Sequence, residues 1–311
     1  MPAGNSTVSL IANPAAGRAG AVGQAETLVR ALAHRGWKAD LRYTEHPGHA
    51  IQLARQAALT HDTVVAIGGD GTASEVATGL LLAQRPDVRL GLLPCGTGND
   101  VARQLRLRSG RETLDAVVDD RWRLMDAIEV QGLAQTDSTP HFALSFVAAG
   151  FAAELVRRTT PVVKRWAGRR LAYTIGFLHA LLHYRAPLVR VCLDGREYLD
   201  RFLHICAGNV EWAGGGIMRI SPGARMDDGR LNLCLIRAKG WREILRNFPR
   251  LLRGTFPSRP GVTYTEGATL EVLGNVPLPL QVDGSMLGVT PVRCQIRPGA
   301  LRVAAPAPAD G

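Results

Sequence analysis

The chain of 311 residues contains few cysteines, and no two of them lie close together in the sequence. Its five cysteines are Cys95, Cys192, Cys206, Cys234 and Cys294. Their odd number and wide spacing argue against the disulfide framework of a small secreted protein and against a paired-cysteine zinc site. We therefore expect reduced thiols and a cytoplasmic protein.

Long hydrophobic runs are also missing. No segment approaches the roughly 18 uninterrupted apolar residues that a membrane-spanning helix needs. The N-terminus lacks the charged and apolar regions of a signal peptide. The sequence thus predicts a protein that is neither exported nor membrane-spanning, and peripheral contact with a membrane stays open.

Aromatic residues make up only 5% of the chain, and no nucleic-acid recognition motif is present. The chain is nevertheless basic, because 37 lysines and arginines outnumber 27 acidic residues and give a net charge of +10. Such a charge favours an anionic partner, which can be a nucleic acid, a membrane surface or a phosphorylated ligand. With no motif for the first of these, we predict no nucleic-acid partner.

The most informative stretch is residues 63–72, Thr-Val-Val-Ala-Ile-Gly-Gly-Asp-Gly-Thr. Its β-branched apolar run predicts a buried parallel strand, and the glycines predict a loop at 68–72 before a helix over 73–82. Glycines lack the Cβ atoms that keep a ligand away, so backbone N–H groups there can bind a phosphate. Asp70 can hold a metal or take a proton, and Thr72 can bind phosphate or cap the helix.

Strand and helix patterns alternate through the first half of the chain. Strands are predicted at 6–12, 37–44, 63–67 and 88–93, and the loops that follow them at 13–18, 44–49, 68–72 and 94–100. This alternation predicts an α/β domain with a doubly wound parallel sheet, and its ligands should bind where the strands end. We therefore expect the four loops to share one edge of the sheet.

The second half reads mainly as β-structure. Strands are predicted at 121–130, 141–148, 188–193, 198–207, 231–236, 269–273, 278–282 and 292–296, with one helix at 241–252 and a frayed end from 304. Antiparallel pairing into a β-sandwich is the economical arrangement. We place the domain boundary in the polar linker, which gives a nucleotide-binding domain at 1–132 and a β-rich domain at 133–311.

A helical insert is predicted at about 150–184. Its basic cluster at 157–170 precedes an apolar segment at 171–182 that is too short to span a bilayer. The segment can be a helix packed in the core. The alternative to this first interpretation is a surface that contacts anionic lipid.

Four motifs, in this order and spacing, resemble those of the diacylglycerol kinase catalytic domain family, and in particular its bacterial soluble lipid kinases. They are Asn13-Pro14 with Gly17, Thr44 with Pro47-Gly48-His49-Ala50, Gly68–Thr72 with Glu75, and Gly96-Thr97 with Asn99-Asp100 and Ala102-Arg103. The resemblance covers nearly the whole chain. It implies an ATP-dependent, Mg²⁺-requiring lipid kinase that phosphorylates the hydroxyl of diacylglycerol or a related lipid at an anionic membrane surface.

The resemblance also implies which residues form the nucleotide site. They are Asn13, Thr44, Gly68, Gly69, Asp70, Gly71, Thr72, Thr97 and Asn99. No Gly-Lys-Ser or Gly-Lys-Thr sequence occurs, so the phosphate charge must be met by Mg²⁺, helix termini and Arg103 rather than by a P-loop lysine.

In the second half, Asn209, Gly214–Gly216 and the segment 221–231 resemble glycine-rich and Asp-Asp-Gly segments of the family. Asp228 with the carbonyl groups of Arg225 and Arg230 would by this resemblance form a supporting Mg²⁺ site. A plain turn between strands explains Asp-Asp-Gly equally well.

The last motif is Gln281-Val282-Asp283-Gly284-Ser285, and serine stands where the family usually has glutamate. Phosphoryl transfer to an alcohol needs a carboxylate that accepts the hydroxyl proton. Asp283 is the first candidate for this role and Asp70 the second, while an Asp-Gly turn is the simpler reading of Asp283. Ser285 leaves open a nucleotide-binding regulator with little turnover, and a kinase of a soluble acceptor is a further alternative.

Overall fold

The computed structural model describes residues 7–133, 139–158, 184–238 and 261–306. Its first half contains four parallel strands: β1 (Thr7–Ala12), β2 (Lys38–Tyr43), β3 (Thr63–Gly68) and β4 (Arg89–Pro94). They lie in the order β2-β1-β3-β4, with β3 fully buried at the centre. The predicted parallel sheet is confirmed, and each strand lies within two residues of its predicted bounds.

Helices cover both faces of this sheet. They are α1 (Gly20–His34), α2 (His49–Ala57), α3 (Asp70–Leu82), α4 (Asp100–Gln104) and α5 (Gly110–Val118), with a short 3₁₀ turn at Ala16–Ala19. Because neighbouring side chains of a strand point to opposite faces, Ala66 packs in the core beside α2 and α3, whereas Ile67 packs in the core beside α1. The doubly wound arrangement is therefore confirmed.

The second half is built mainly of antiparallel strands. The described ones are β5 (Trp122–Gly132), β6 (His141–Ala143), β7 (Phe146–Gly150), β8 (Leu188–Leu193), β9 (Arg196–Gly208), β10 (Trp212–Ala213), β11 (Met218–Arg219), β12 (Leu231–Arg237), β13 (Val262–Gly267), β14 (Thr269–Leu273), β15 (Pro279–Val282), β16 (Ser285–Val289) and β17 (Val292–Ala304). Inward-facing residues of two layers, among them Val191, Ile205 and Leu233, form one apolar core. This is the predicted β-sandwich.

Two long strands connect the sheets: β9 joins the two layers of the sandwich, and β17 joins one of these layers to the parallel sheet. The first part of β9 pairs with β8, and its second part pairs with β7 and β12 in the other layer. β17 pairs antiparallel with β14 and β5, and then parallel with β4 through Arg302 and Val303. Because β5 and β17 take part in the sheets of both halves, the boundary at 132/133 stays a prediction.

Several sequence predictions were wrong in detail. The strand predicted at 141–148 is two strands, because the chain turns at Leu144 and Ser145 between β6 and β7. The elements α5, β10, β11, β13 and β16 were not predicted. The chain was predicted to fray from residue 304 onward. Ala304 instead belongs to β17 and is fully buried.

The helical insert begins where it was predicted, with α6 (Phe151–Arg158). The rest of that insert and the helix predicted at 241–252 lie outside the described residues. Among the helices that the structure does describe, none is long and apolar enough to cross a membrane.

The crossing of α2 and α3 depends on Gly79. A Cβ atom at this position would lie 2.3 Å from the carbonyl oxygen of Ile51 and 2.7 Å from the Cβ of Ala54. We expect Gly79→Ala to lower the free energy of unfolding by about 2 kcal/mol, because overpacking outweighs the better helix propensity of alanine. Chemical denaturation followed by circular dichroism measures this.

Gly23 of α1 is the matched control, since a Cβ atom there meets nothing within 4 Å. Gly23→Ala should raise the free energy of unfolding by about 0.5–1 kcal/mol. Equal effects of the two substitutions would contradict the close crossing.

Candidate functional site

The glycine stretch after β3 was predicted to be a loop of five residues, and this prediction was wrong. The strand runs through Gly68, Gly69 is the N-cap, and α3 begins at Asp70. A Cβ atom on Gly68 would lie 2.5 Å from the hydroxyl oxygen of Thr72. The glycine there is required by the abrupt change from strand to helix, which places Asp70, Gly71 and Thr72 in the first helical turn.

The loop after β4 crosses the start of α3 at backbone contact. A Cβ atom on Gly96 would lie 2.4 Å from the Cα of Gly69, and the backbone N–H of Gly96 donates to the carbonyl of Gly68 at 3.1 Å. Asn99 has a φ of 54° and holds this loop closed, because its side chain accepts from the N–H of Gly96 at 2.9 Å and donates to the Gly96 carbonyl at 3.0 Å. Thr97 lies exposed on the same loop.

The ends of β1 and β2 lie at the same edge. Asn13 donates from its side-chain amide to the hydroxyl of Thr72 at 3.2 Å, and Thr44 donates its backbone N–H to the carbonyl of Ala12 at 2.9 Å. The prediction that the four loops share one edge of the sheet is therefore confirmed. Thr72 is not the helix cap, since no side chain caps α3 and Gly69 occupies the N-cap position.

Two acidic side chains meet at this edge. Asp70 accepts from the backbone N–H of Val101 at 3.2 Å through one oxygen, and its second oxygen, Oδ2, faces the backbone of Gly98. The Oδ2 atom of Asp100 faces the same backbone position. Burial, followed by the charge of Asp100, raises the pKa of Asp70 to about 6, and burial also raises the pKa of Asp100. The hydrogen bonds and positive charges around this pair thus do not fully stabilise its two negative charges.

Asp100 is held by a turn of three glycines from the second half of the chain. Gly214, Gly215 and Gly216 all have positive φ angles, between 70° and 80°. Consecutive left-handed residues direct their backbone N–H groups to one point, and an anion is the usual guest there. Here the guest is the Oδ1 atom of Asp100, which accepts from Gly215 at 2.8 Å and from Gly216 at 3.1 Å.

Asp283 follows β15 and is buried, with 4% of its surface exposed. Its carboxylate accepts from the backbone N–H groups of Leu144 at 2.7 Å and of Ser145 and Phe146 at 2.9 Å each, and also from the hydroxyl of Ser145. Both oxygens are therefore engaged by the turn between β6 and β7. The charge of Asp283 contributes to the raised pKa of Asp70, so these two predicted residues are neighbours.

Ser285 comes two residues later and also reaches this place. A Cβ atom on Gly71 would lie 2.9 Å from the Ser285 hydroxyl oxygen. The position where the family usually has glutamate therefore adjoins the first turn of α3. A carboxylate at 285 would approach the site that Asp70 and Asp100 share.

The predicted supporting Mg²⁺ residues lie elsewhere. Arg225, Asp228 and Arg230 are exposed, and Asp228 accepts from the backbone N–H of Arg230 at 3.0 Å. A cleft of about 490 Å³ is lined by both Asp100 and Arg225, so Arg225 shares this cleft with one acid of the pair. The role of these three residues stays a prediction.

Asp126 and Asn209 also organise the site. The carboxylate of buried Asp126 accepts from the N–H groups of Gly229 and Gly299, each at 2.7 Å, and fixes the Asp-Asp-Gly segment against β17. The Asn209 side chain donates to the carbonyls of Asp126 at 3.0 Å and Leu144 at 3.2 Å. The only sequence signal for Asp126, which the prediction missed, is a lone acid within the apolar run 124–128.

Among the described residues, no three His, Cys, Asp or Glu side chains form a cluster that could hold a metal ion by themselves. Mg²⁺ in a phosphoryl-transfer site does not need such a cluster, because one or two carboxylates, water and phosphate oxygens complete its shell. Asp70 and Asp100 fit that donor set, since each presents one carboxylate oxygen toward the same point.

Comparisons with known proteins agree with this architecture. The family model "Diacylglycerol kinase catalytic domain" matches residues 7–130, and the model "YegS C-terminal NAD kinase beta sandwich-like domain" matches residues 145–305. The second match alone covers more than half of the chain.

Individual proteins are similar over almost their whole length. A Mycobacterium tuberculosis protein named "Diacylglycerol kinase" is 29% identical over 96% of this chain and 95% of its own. A Pseudomonas aeruginosa protein named "Probable lipid kinase YegS-like" is 30% identical over 90% of this chain and 88% of its own. The crystal structure of a Bacillus anthracis diacylglycerol kinase superposes with a TM-score of 0.69 at 20% identity, covering 97% of each chain.

Asp283 and Asp70 lie in different environments, so we expect neutralising each of them to change the free energy of unfolding in opposite directions. Asp283→Asn should lower the free energy of unfolding by about 3 kcal/mol, because an amide cannot accept from all four donors and directs its own N–H groups at them. Asp70→Asn should raise it by about 2 kcal/mol at pH 7, because it removes a buried charge that Asp100 repels. Denaturant titrations of both variants measure these changes.

The pH dependence supplies the control. Between the ordinary pKa of 3.8 and the raised value of about 6, folded Asp70 binds more protons than unfolded Asp70. Its contribution to stability therefore falls as the pH rises through this window, and Asp70→Asn should lack that part of the fall. Equal stability losses in both variants would contradict the assignment.

Proposed function

Because this chain belongs to the diacylglycerol kinase family of lipid kinases, which are phosphotransferases with an alcohol acceptor, we propose that it transfers the γ-phosphoryl group of ATP to a lipid hydroxyl. The acceptor that we propose is diacylglycerol or a related neutral lipid. The observation that carries the proposal is the pair of Asp70 and Asp100, which lies where two glycine segments cross at the start of α3.

The proposed place of the nucleotide phosphates is the edge formed by Gly68, Gly69 and Gly96. Glycine backbone and the N-terminus of the 13-residue helix α3 favour a phosphate there. The amide of Asn13 and the hydroxyl of Thr72 are polar groups at the same edge. Thr44 and Thr97 flank it on the neighbouring loops and are proposed to contact the rest of the nucleotide.

We assign the Oδ2 atom of Asp100 to Mg²⁺, because the glycine turn at 214–216 holds the other oxygen and fixes the carboxylate. Bound there with ATP, Mg²⁺ would neutralise the charge of the β and γ phosphates. No lysine is available for that task in the glycine segment. Arg103, whose charge lowers the pKa of Asp100, is the nearest cation of this motif.

The two candidates for the catalytic base differ in their hydrogen bonds. Asp283 uses both oxygens to hold the turn between β6 and β7, whereas Asp70 accepts from the backbone of Val101 and Asn99, and its Oδ2 atom lies beside Gly98. A base should be ionised but weakly stabilised, and a pKa of about 6 suits that role near neutral pH. We therefore propose Asp70 as the base and Asp283 as a positioning residue.

The lipid must be reached at a membrane surface. The net charge of +10 would draw the protein toward an anionic bilayer. We propose that the enzyme is cytoplasmic and associates with the membrane peripherally. The basic cluster predicted at 157–170 lies outside the described side chains.

A nucleotide-binding regulator is the second candidate, and Ser285 is the observation that favours it. A serine there removes the negative charge of the usual glutamate from beside the first turn of α3. The regulator would bind ATP and form no phosphorylated lipid.

A transfer assay tests the proposed function. Purified protein, Mg²⁺ and γ-labelled ATP are incubated with neutral lipids in anionic vesicles, and labelled lipid is counted. We expect Asp70→Asn to reduce kcat by about 10²–10⁴-fold without loss of stability, because the base is removed. In the wild-type protein kcat/KM should fall as the pH drops through about 6, where Asp70 becomes protonated.

Asp62→Asn is the matched control for loss of one carboxylate, since the Asp62 side chain is 70% exposed and pairs with Arg85. It should leave turnover unchanged. Full activity in Asp70→Asn would refute the base, and ATP binding without any labelled lipid would favour the regulator.

Replacing Ser285 tests the second candidate. Ser285→Glu adds a carboxylate beside Gly71, and we expect it to increase the apparent Mg²⁺ affinity roughly tenfold, because two nearby acids become three. Ser285→Gln has the same size without the charge and should not do so. Turnover in Ser285→Glu but none in the wild-type protein would identify a regulator, while an unchanged Mg²⁺ dependence would contradict a shared metal site.

A further inference from the structure

A basic cleft lies beside Asp100. It has a volume of about 490 Å³ and is lined by α4, the residues after it, and the segment 211–227. Five arginines line it: Arg103, Arg106, Arg108, Arg123 and Arg225. The proposed kinase site does not use this cleft beyond Asp100 and Arg103.

The three acidic residues of the cleft are already engaged. Asp100 accepts from the glycine turn, and Glu211 pairs with Arg219, at 2.6 Å from its Nε atom. Asp227 pairs with Arg123 at 2.8 Å and with Arg225 at 3.2 Å, so one carboxylate serves two guanidinium groups. The cleft therefore keeps an excess of positive charge.

Arg106 and Arg108 carry much of that excess. In the described part of the chain, no carboxylate forms an ion pair with either guanidinium group, since the ion pairs around the cleft involve its other members. The backbone N–H of Arg108 does bond to Glu112, but this leaves its side chain unpaired. Two unpaired guanidinium groups on one wall of a cleft suit an anion with several oxygens.

The backbone gives an independent reason to look for a ligand at Arg106. This residue has a φ of 62°, and the N–H of Leu107 bonds to the carbonyl of Ala102 at 2.8 Å, so α4 ends in a turn where glycine is the usual residue. An arginine side chain is strained in this conformation. The fold alone would favour glycine, and a charge is present instead.

We propose that this cleft binds a phosphate group, with Arg106 and Arg108 as its main ligands. The phosphate can come from the headgroup of an anionic phospholipid or from a free phosphate ion, and the chemistry of recognition is the same. The site is distinct from the edge proposed for the nucleotide phosphates, where glycine backbone rather than arginine provides the donors. Phosphate bound here would join α4 to the segment 211–227 across the cleft.

The test uses the full-length protein without ATP and without acceptor lipid, so that its result is independent of kinase activity. Inorganic phosphate is titrated by calorimetry, and vesicles of phosphatidylcholine with and without phosphatidylglycerol are used in sedimentation. The variant Arg106→Gly/Arg108→Gln should weaken phosphate binding, or sedimentation with the anionic vesicles, at least about tenfold. The melting temperature of this variant should not fall, because glycine adopts the positive φ angle at position 106 without strain.

Arg30→Gln/Arg190→Gln is the matched control, because it removes the same charge from exposed positions outside the cleft. Loss of both binding events relative to this control assigns the cleft to headgroup and free phosphate alike. Loss of only the vesicle binding assigns it to a headgroup, and loss of only the phosphate binding assigns it to the free ion. Equal binding by the cleft variant and the control, or no binding by the wild-type protein, would overturn the proposal.

Discussion

Buried carboxylates that accept backbone N–H groups fix segments of this molecule that lie far apart in the sequence. Asp100 binds the glycine turn at 214–216, Asp126 binds Gly229 and Gly299, and Asp283 binds the turn between β6 and β7. Removing a carboxylate from water is costly unless several donors compensate it, so each of these acids fixes the donors around it. The segments at 144–146, 214–216, 229 and 299 are thereby fixed by these three acids.

The sequence predicts the parts of the fold that repeat locally. The β-branched run of β3 and the alternation of strands and helices reveal the parallel sheet, because burial on both faces leaves a continuous apolar pattern. The break at Leu144 and Ser145 could not be predicted, since the donors there face an acid that is 138 residues away from Ser145. Local patterns carry no information about such a distant partner.

In the candidate site, too, some residues were predicted from the sequence, while their roles depend on contacts between distant segments. Asp70 and Thr72 were predicted from their glycine-rich context, and Asp283 from the resemblance of residues 281–285 to the last motif of the family. Geometry then separates their roles, since four donors engage both oxygens of Asp283, whereas Asp70 accepts from the backbone of Val101 and Asn99. Gly68, Gly69 and Gly96 are required by backbone packing whether or not a nucleotide binds, so their presence alone says less about function than the acids beside them.

The end of β17 has a consequence for how the protein is made. Its Arg302 and Val303 pair with Arg89 and Leu90, so the edge of β4 that they cover stays unpaired until the ribosome has synthesised β17, long after β4. Until then the nascent first half presents an open strand edge, which other chains can pair with. The parallel sheet is therefore synthesised first but completed late, when β17 pairs with β4.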